Sequence, residues 1–147
     1  MRLSCLREQD AFRLLNRKRL VSHQPTISII DDDDSVRQAL GSLVRSLGFA
    51  ASLFGSAEQF IEAGAVTGSS VVVSDVQMPG MTGVDLQDRL RREGHTVPMI
   101  FITAFPEEAL RKRAFAAGAC CFLSKPFDGD IMIRCIEAAL SPDTTIY

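Results

Sequence analysis

From Thr26 onward, five short apolar runs alternate with five stretches of helical periodicity. The first run, TISII at Thr26–Ile30, is β-branched and too short for a helix, so it reads as a buried strand. Ala50–Phe54 and residues 71–74, 97–102 and 119–123 read the same way. Between them, Val36, Leu40, Leu43, Val44 and Leu47 follow helical spacing, with Asp34 or Ser35 expected as cap and Gly48 as stop. Ser56 is expected to cap a short second helix, with Gln59 placed for a capping box. Helices are also predicted over 84–92, over 107–117 ending at Gly118, and over 128–140 from a cap near Asp128. Strict alternation of apolar strands with helices implies a parallel sheet covered on both faces.

The expected fold is therefore α/β: one flavodoxin-like domain, a doubly wound (βα)5 sheet of five parallel strands. In such sheets ligands bind beyond the carboxyl ends of the strands, where the strand order reverses. The domain is expected over residues 25–141, with a short tail at 142–147. Residues 1–24 stand outside the pattern as a basic N-terminal extension, carrying Arg2, Arg7, Arg13, Arg17, Lys18 and Arg19 against Glu8 and Asp10. Phe12, Leu15 and Leu20 could line one face of a basic helix, although a flexible tail without a role is the plainer reading. The remainder is acidic and the whole chain carries a net charge of -2, which argues against direct nucleic-acid binding. None of the four cysteines forms a C-x-x-C pair, and Cys120 and Cys121 lie in an apolar run, so buried free thiols are expected. That usage, with no apolar run long enough for a membrane span and no signal-peptide pattern, points to the cytoplasm.

The topology gathers chemistry on one rim. Asp31 and Asp32 follow the first strand, Asp75 the third, Thr103 the fourth, and Lys125 the fifth, just before Pro126. Carboxylates crowded at about 5 Å repel by roughly 3 kcal/mol per pair at an effective dielectric near 20. A hard divalent cation removes that cost and prefers oxygen ligands. Asp75 could then act as a nucleophile toward a phosphoryl group, with Lys125 supplying a point charge and Thr103 a hydroxyl donor. Phosphoryl transfer needs little beyond positioning and charge stabilisation. Singly, each residue has a plainer role: a solvated acidic run, helix-capping charges at Asp33 and Asp34, a turn before Pro79-Gly80, a surface lysine. Their conjunction on one rim does not.

Four segments carry a resemblance: IIDDDD (29–34), SDVQMPGMTG (74–83), FITA (101–104) and SKPF (124–127). Together, in order and spacing, they resemble the signatures of bacterial response-regulator receiver domains of two-component systems, the FixJ-type subfamily in particular. The resemblance implies that Asp75 is phosphorylated by a histidine kinase or phosphotransfer protein. It implies a Mg²⁺ ion, with Mn²⁺ as the alternative, held directly by Asp32 and Asp75, through water by Asp31, and by the backbone carbonyl of Gln77. Thr103 and Lys125 would bind the phosphoryl group, and Ala104 would leave room beside it. Phe122 would be the aromatic switch coupled to Thr103, although it reads equally well as core. Gln77 and Phe105 would tune water attack on the acyl phosphate. The Lys125–Pro126 bond would be cis. The face formed by the fourth helix, fifth strand and fifth helix would serve a homodimer or output contact, with Arg111, Lys112 and Arg113 as docking charges, although a solvated basic face is the plainer reading of those three. Neither nucleic acid nor membrane would be bound directly by this chain.

On this reading the chain is not a true enzyme, since phosphoryl acceptance and loss are self-catalysed. Two alternatives stand beside it. An aspartyl-nucleophile phosphatase of the haloacid-dehalogenase kind needs an acid two residues after the nucleophile, where this chain has Gln77. A pseudo-receiver, an interaction module that accepts no phosphate, would be expected to lack part of the set, yet all five site residues are present. FixJ-type proteins usually continue into a helix-turn-helix domain; a stand-alone receiver and a piece of a longer regulator both fit a chain ending at Tyr147.

Overall fold

The structure, a computed structural model, describes residues 24–141. Along the chain run β1 (Thr26–Ile30), α1 (Asp34–Ser46), β2 (Ala50–Phe54), α2 (Ala57–Glu62), a 3-10 turn (Ala65–Gly68), β3 (Val71–Asp75), α3 (Gly83–Arg92), β4 (Met99–Thr103), α4 (Glu108–Ala116), β5 (Cys121–Ser124) and α5 (Gly129–Leu140). The strands form one parallel sheet in the order β2-β1-β3-β4-β5. This is the flavodoxin-like order, which reverses between β1 and β3.

Period-two alternation splits the apolar side chains between two cores. On one face Val72, Met99 and Phe101 pack with Phe60 of α2, Leu86 and Leu90 of α3 and Ala114 of α4. On the other, Val71, Val73, Ile100 and Ile102 pack with Leu40 and Val44 of α1 and with Met132 and Ile136 of α5. Each fully buried Val, Leu, Ile or Phe contributes roughly 1.5–3 kcal/mol, so both faces are needed to hold the sheet.

The differences from the sequence reading are local. The α1 cap is Asp33, whose carboxylate accepts from the Val36 N–H, one residue before the expected pair. Ser56 caps α2 as expected, but the Gln59 side chain accepts from Gly55 N–H and not from Ser56, so the capping box is displaced by one residue. The fourth strand starts at Met99 and reaches Thr103, and the fifth spans Cys121–Ser124. Both lie one to two residues further along than hydrophobicity suggested, because β4 and β5 register Thr103 opposite Ser124. Buried thiols are found only in part: Cys135 is buried, Cys121 half-buried and Cys120 exposed, since Cys120 precedes the strand and is not within it. Among the described residues no helix is long and apolar enough to cross a membrane. The expectations for residues 1–23 and 142–147 lie outside the described residues.

Candidate functional site

Register sets the site. Ile30 pairs with Ser74 and Asp75 with Ile102, so Asp31 and Asp75 emerge side by side where the strand order reverses. Thr103 pairs with Ser124, which delivers Lys125 one residue beyond the same rim. The Lys125 backbone N–H donates to Thr103 O at 2.7 Å, and the Lys125–Pro126 peptide is cis, as the resemblance implied.

The lysine reaches back over the sheet. Its Nζ lies 2.9 Å from Asp31 Oδ2 and 3.1 Å from Asp75 Oδ2. Asp31 is wholly buried and Asp75 nearly so, whereas Asp32 is exposed. One carboxylate oxygen from each of the three lies within 4.8 Å of the others. Asp31 Oδ1 accepts from the Asp33 N–H at 2.9 Å, and Asp75 Oδ1 from the Gln77 N–H at 3.2 Å. Asp31 Oδ2, fully buried, meets the ammonium as an ion pair but accepts no well-aligned hydrogen bond. A buried carboxylate oxygen left short of donors, in an all-oxygen set of three carboxylates, fits a hard divalent cation.

Electrostatics follow from this crowding. Burial pushes the Asp75 carboxyl above the usual carboxylate range. The hydrogen bond and charge of Lys125 and the Gln77 N–H oppose that rise, while the Asp31 charge adds to it. Lys125 is pulled down by burial, but its close contacts with the Asp31 and Asp75 carboxylates and their charges outweigh that and hold it above the ordinary lysine value. The lysine is therefore the resident counter-ion of a pocket built for more positive charge than it supplies.

The remaining residues named from sequence sit around this centre. Thr103 is buried, and its hydroxyl accepts from the Phe105 N–H at 3.1 Å. Ala104 is exposed and small, and Phe105 is 68% exposed. Phe122 is half-buried, tilted against Phe101 at 6.3 Å between centroids, and packed on the α2–α4 core. Gln77 is exposed at the start of the loop after β3. Of the basic residues on α4, Arg111 pairs with Glu108, and Arg113 pairs with Asp88 and Asp85 of α3, so part of that patch ties two helices together.

The sequence reading assigned no role to four further residues. Gly83 opens α3 against the end of β3, where a Cβ would fall 2.3 Å from Asp75 O and 3.0 Å from Ser74 Oγ. Thr82 and Asp85 form a reciprocal capping box at the same place; T-x-x-D before an apolar helix was the available signal. Glu58 accepts from the Met81 N–H at 3.1 Å, bracing the loop after Asp75, and that backbone hydrogen bond holds its carboxyl below the usual range. Nothing in the local sequence marks Glu58 for that role.

Comparison with known proteins converges on one description. Residues 27–137 match the family model for the response regulator receiver domain. The response regulator protein TmoT of Ectopseudomonas mendocina is 36% identical over 126 residues, covering 86% of this chain and 57% of that protein. The transcriptional regulatory protein FixJ of Bradyrhizobium diazoefficiens is 37% identical over 114 residues, covering 78% of this chain and 56% of that protein. Among solved structures, a response regulator receiver protein from Burkholderia phymatum superposes with a TM-score of 0.69 at 41% identity, over 80% of this chain and 95% of that one. The chain spans about half the length of the curated relatives it matches.

Proposed function

The chain belongs to the response regulator receiver domain family, and from that premise we propose that it accepts a phosphoryl group on Asp75 from a histidine kinase or phosphotransfer protein in a Mg²⁺-dependent reaction. The observation that carries this reading is the meeting of Lys125 with both Asp31 and Asp75, at 2.9 and 3.1 Å, beside the exposed carboxylate of Asp32. Asp31, Asp32, Asp75 and the backbone carbonyl of Gln77 would hold the cation, with Mn²⁺ an acceptable substitute. When bound, it would offset the charge of the carboxylates and of the incoming phosphoryl oxygens together.

Asp75 is the nucleophile. Its carboxylate oxygen forms a bond to phosphorus as the bond from phosphorus to the donor breaks, leaving an acyl phosphate. Lys125 then exchanges its contact with the Asp75 carboxylate for one with a phosphoryl oxygen, moving little. The Thr103 hydroxyl turns from the Phe105 N–H toward another phosphoryl oxygen. Lys125 and Thr103 are already joined through backbone, so their movements are coupled and reach Phe122 and the α4–β5–α5 face. That face serves a homodimer or an output partner. The protein turns over no separate substrate, and its body, with 15 acidic against 10 basic side chains over 25–141, does not bind nucleic acid directly. A cytoplasmic location follows from the proposed donor.

Ala104 leaves space beside the phosphoryl group, while Gln77 and Phe105 border the path of an attacking water. An apolar ring at Phe105 slows that attack, so Phe105→Glu should shorten the lifetime of the phosphorylated form; a lifetime equal to wild type would remove Phe105 from this role. The reading as a whole is tested by incubating the protein with a small phosphodonor and measuring intact mass. One phosphoryl group is expected with Mg²⁺ present and none after chelation. No uptake by the wild type at saturating donor and Mg²⁺ would leave the pseudo-receiver reading in its place.

A further inference from the structure

An apolar groove of about 590 Å³ lies beside the phosphoacceptor rim, between α1 and the loop entering α5. Val36, Leu40 and Leu43 form one wall, Pro126 and Phe127 the other, and Lys125 and Ala104 close the end nearest the site. Acidic side chains frame it: Asp32 and Asp33 at the start of α1, Asp128 and Asp130 at the start of α5, all exposed. Two cations beside it are engaged, Lys125 by Asp31 and Asp75 and Arg37 by Asp34. The groove therefore suits an occupant with an apolar face and an excess of positive charge.

The chain carries such a segment. Residues 1–24 hold six basic side chains against two acidic ones, with Phe12, Leu15 and Leu20 interspersed. Reach is sufficient. The segment joins β1 at its amino end, so the groove lies one strand length away, about 17 Å. Even at helical rise, 23 residues cover about 34 Å. We propose that the basic N-terminal segment docks in this groove within the same molecule, setting Phe12 and Leu15 against Val36, Leu43 and Phe127 and its arginines against the framing aspartates.

A nitroxide on Cys5 reads the docking directly, in the full chain carrying Cys120→Ser. Cys135 is buried, and burial together with the Cys135 contact pushes the half-buried Cys121 thiol up to about 12, so the label falls on Cys5. The expected result is loss of amide NMR signal over residues 36–43 and 127–129, sparing the α2–α4 face. The signals should return when Phe12 and Leu15 are both changed to Asp. Uniform loss, no loss, or loss that survives F12D/L15D would overturn the proposal. So would loss in a mixture of spin-labelled unenriched chain with isotope-enriched unlabelled chain, since the occupant would then be a second copy. Phosphorylation enters none of these arms, so docking and phosphoacceptance fail independently.

Discussion

Asp75 faces a conflict of charges that Lys125 relieves only in part. Burial and the neighbouring Asp31 favour its neutral form more strongly than the lysine favours its anion. A carboxyl raised in the fold above its unfolded value contributes stability at low pH and loses it as pH rises through the raised value. Asp75→Asn should therefore raise the thermal midpoint of the metal-free protein at neutral pH, with the gain shrinking as the pH is lowered toward the carboxylate range; a lower midpoint at neutral pH would mean that the lysine contact dominates. Lys125 follows the same direction in a higher window: its support persists through neutral pH and disappears only when the pH climbs through its own raised value. Gly83 is constrained by space. With a Cβ placed 2.3 Å from Asp75 O, Gly83→Ala should cost on the order of 1–3 kcal/mol in chemical denaturation, the range for forced overpacking. A loss within the error of the measurement would show that α3 can move away freely. Asp31, Asp32, Asp75, Thr103 and Lys125 were legible because each lies at or just past a strand end, and strand ends in this fold share one rim. Glu58 was not legible, because its contact with Met81 spans 23 residues and depends on how two loops meet.

At the scale of elements, amphipathic period and strand composition were enough to place all ten helices and strands, while their ends needed geometry. Hydrophobicity reads the apolar start of a strand, as at residues 97 and 119, whereas pairing to a neighbour decides where the ladder runs. Capping residues shifted by one position for a similar reason, since Asp33 and Asp34 are chemically equivalent caps and only the backbone chooses between them. The helices are unequally anchored. α3 buries Gly83, Val84, Leu86, Gln87 and Leu90, but α4 buries only Ala114. Its other ties include the half-buried Leu110, the Gln87 Nε2 hydrogen bond to Ala114 O and, at the surface, the Arg113 bridges to Asp88 and Asp85. Exposed pairs of that kind are worth about 0–1 kcal/mol each. Amide hydrogens of α4 should therefore exchange with solvent faster than those of α3 in hydrogen-exchange mass spectrometry. Equal protection would indicate that the cross-helix pairs anchor α4 as firmly as burial anchors α3. A weakly held α4 accords with the proposal that this face responds to Thr103.

For the whole molecule, two apolar cores hold a sheet whose carboxyl edge crowds three carboxylates together at a cost in stability. The cost should be recoverable by a divalent cation. Mg²⁺ at a hundredfold excess over its dissociation constant should stabilise the fold by about 2.7 kcal/mol through mass action. The gain should vanish in a variant with Asp31 and Asp32 both changed to Asn; an equal gain in that variant would place the ion elsewhere. The overall architecture was legible from the order of apolar runs alone, because right-handed βα units leave few ways to close such a sheet. The Lys125 bridge to two carboxylates was not, because a side chain's reach across a rim is settled by packing. The central claim is that a phosphoryl group becomes covalently attached to one carboxylate. Borohydride reduction of the protein after incubation with a small phosphodonor and Mg²⁺, followed by peptide mapping, tests it most directly. The account predicts homoserine at position 75 in the wild type and none in Asp75→Asn; an unmodified Asp75, or conversion at another aspartate, would contradict it.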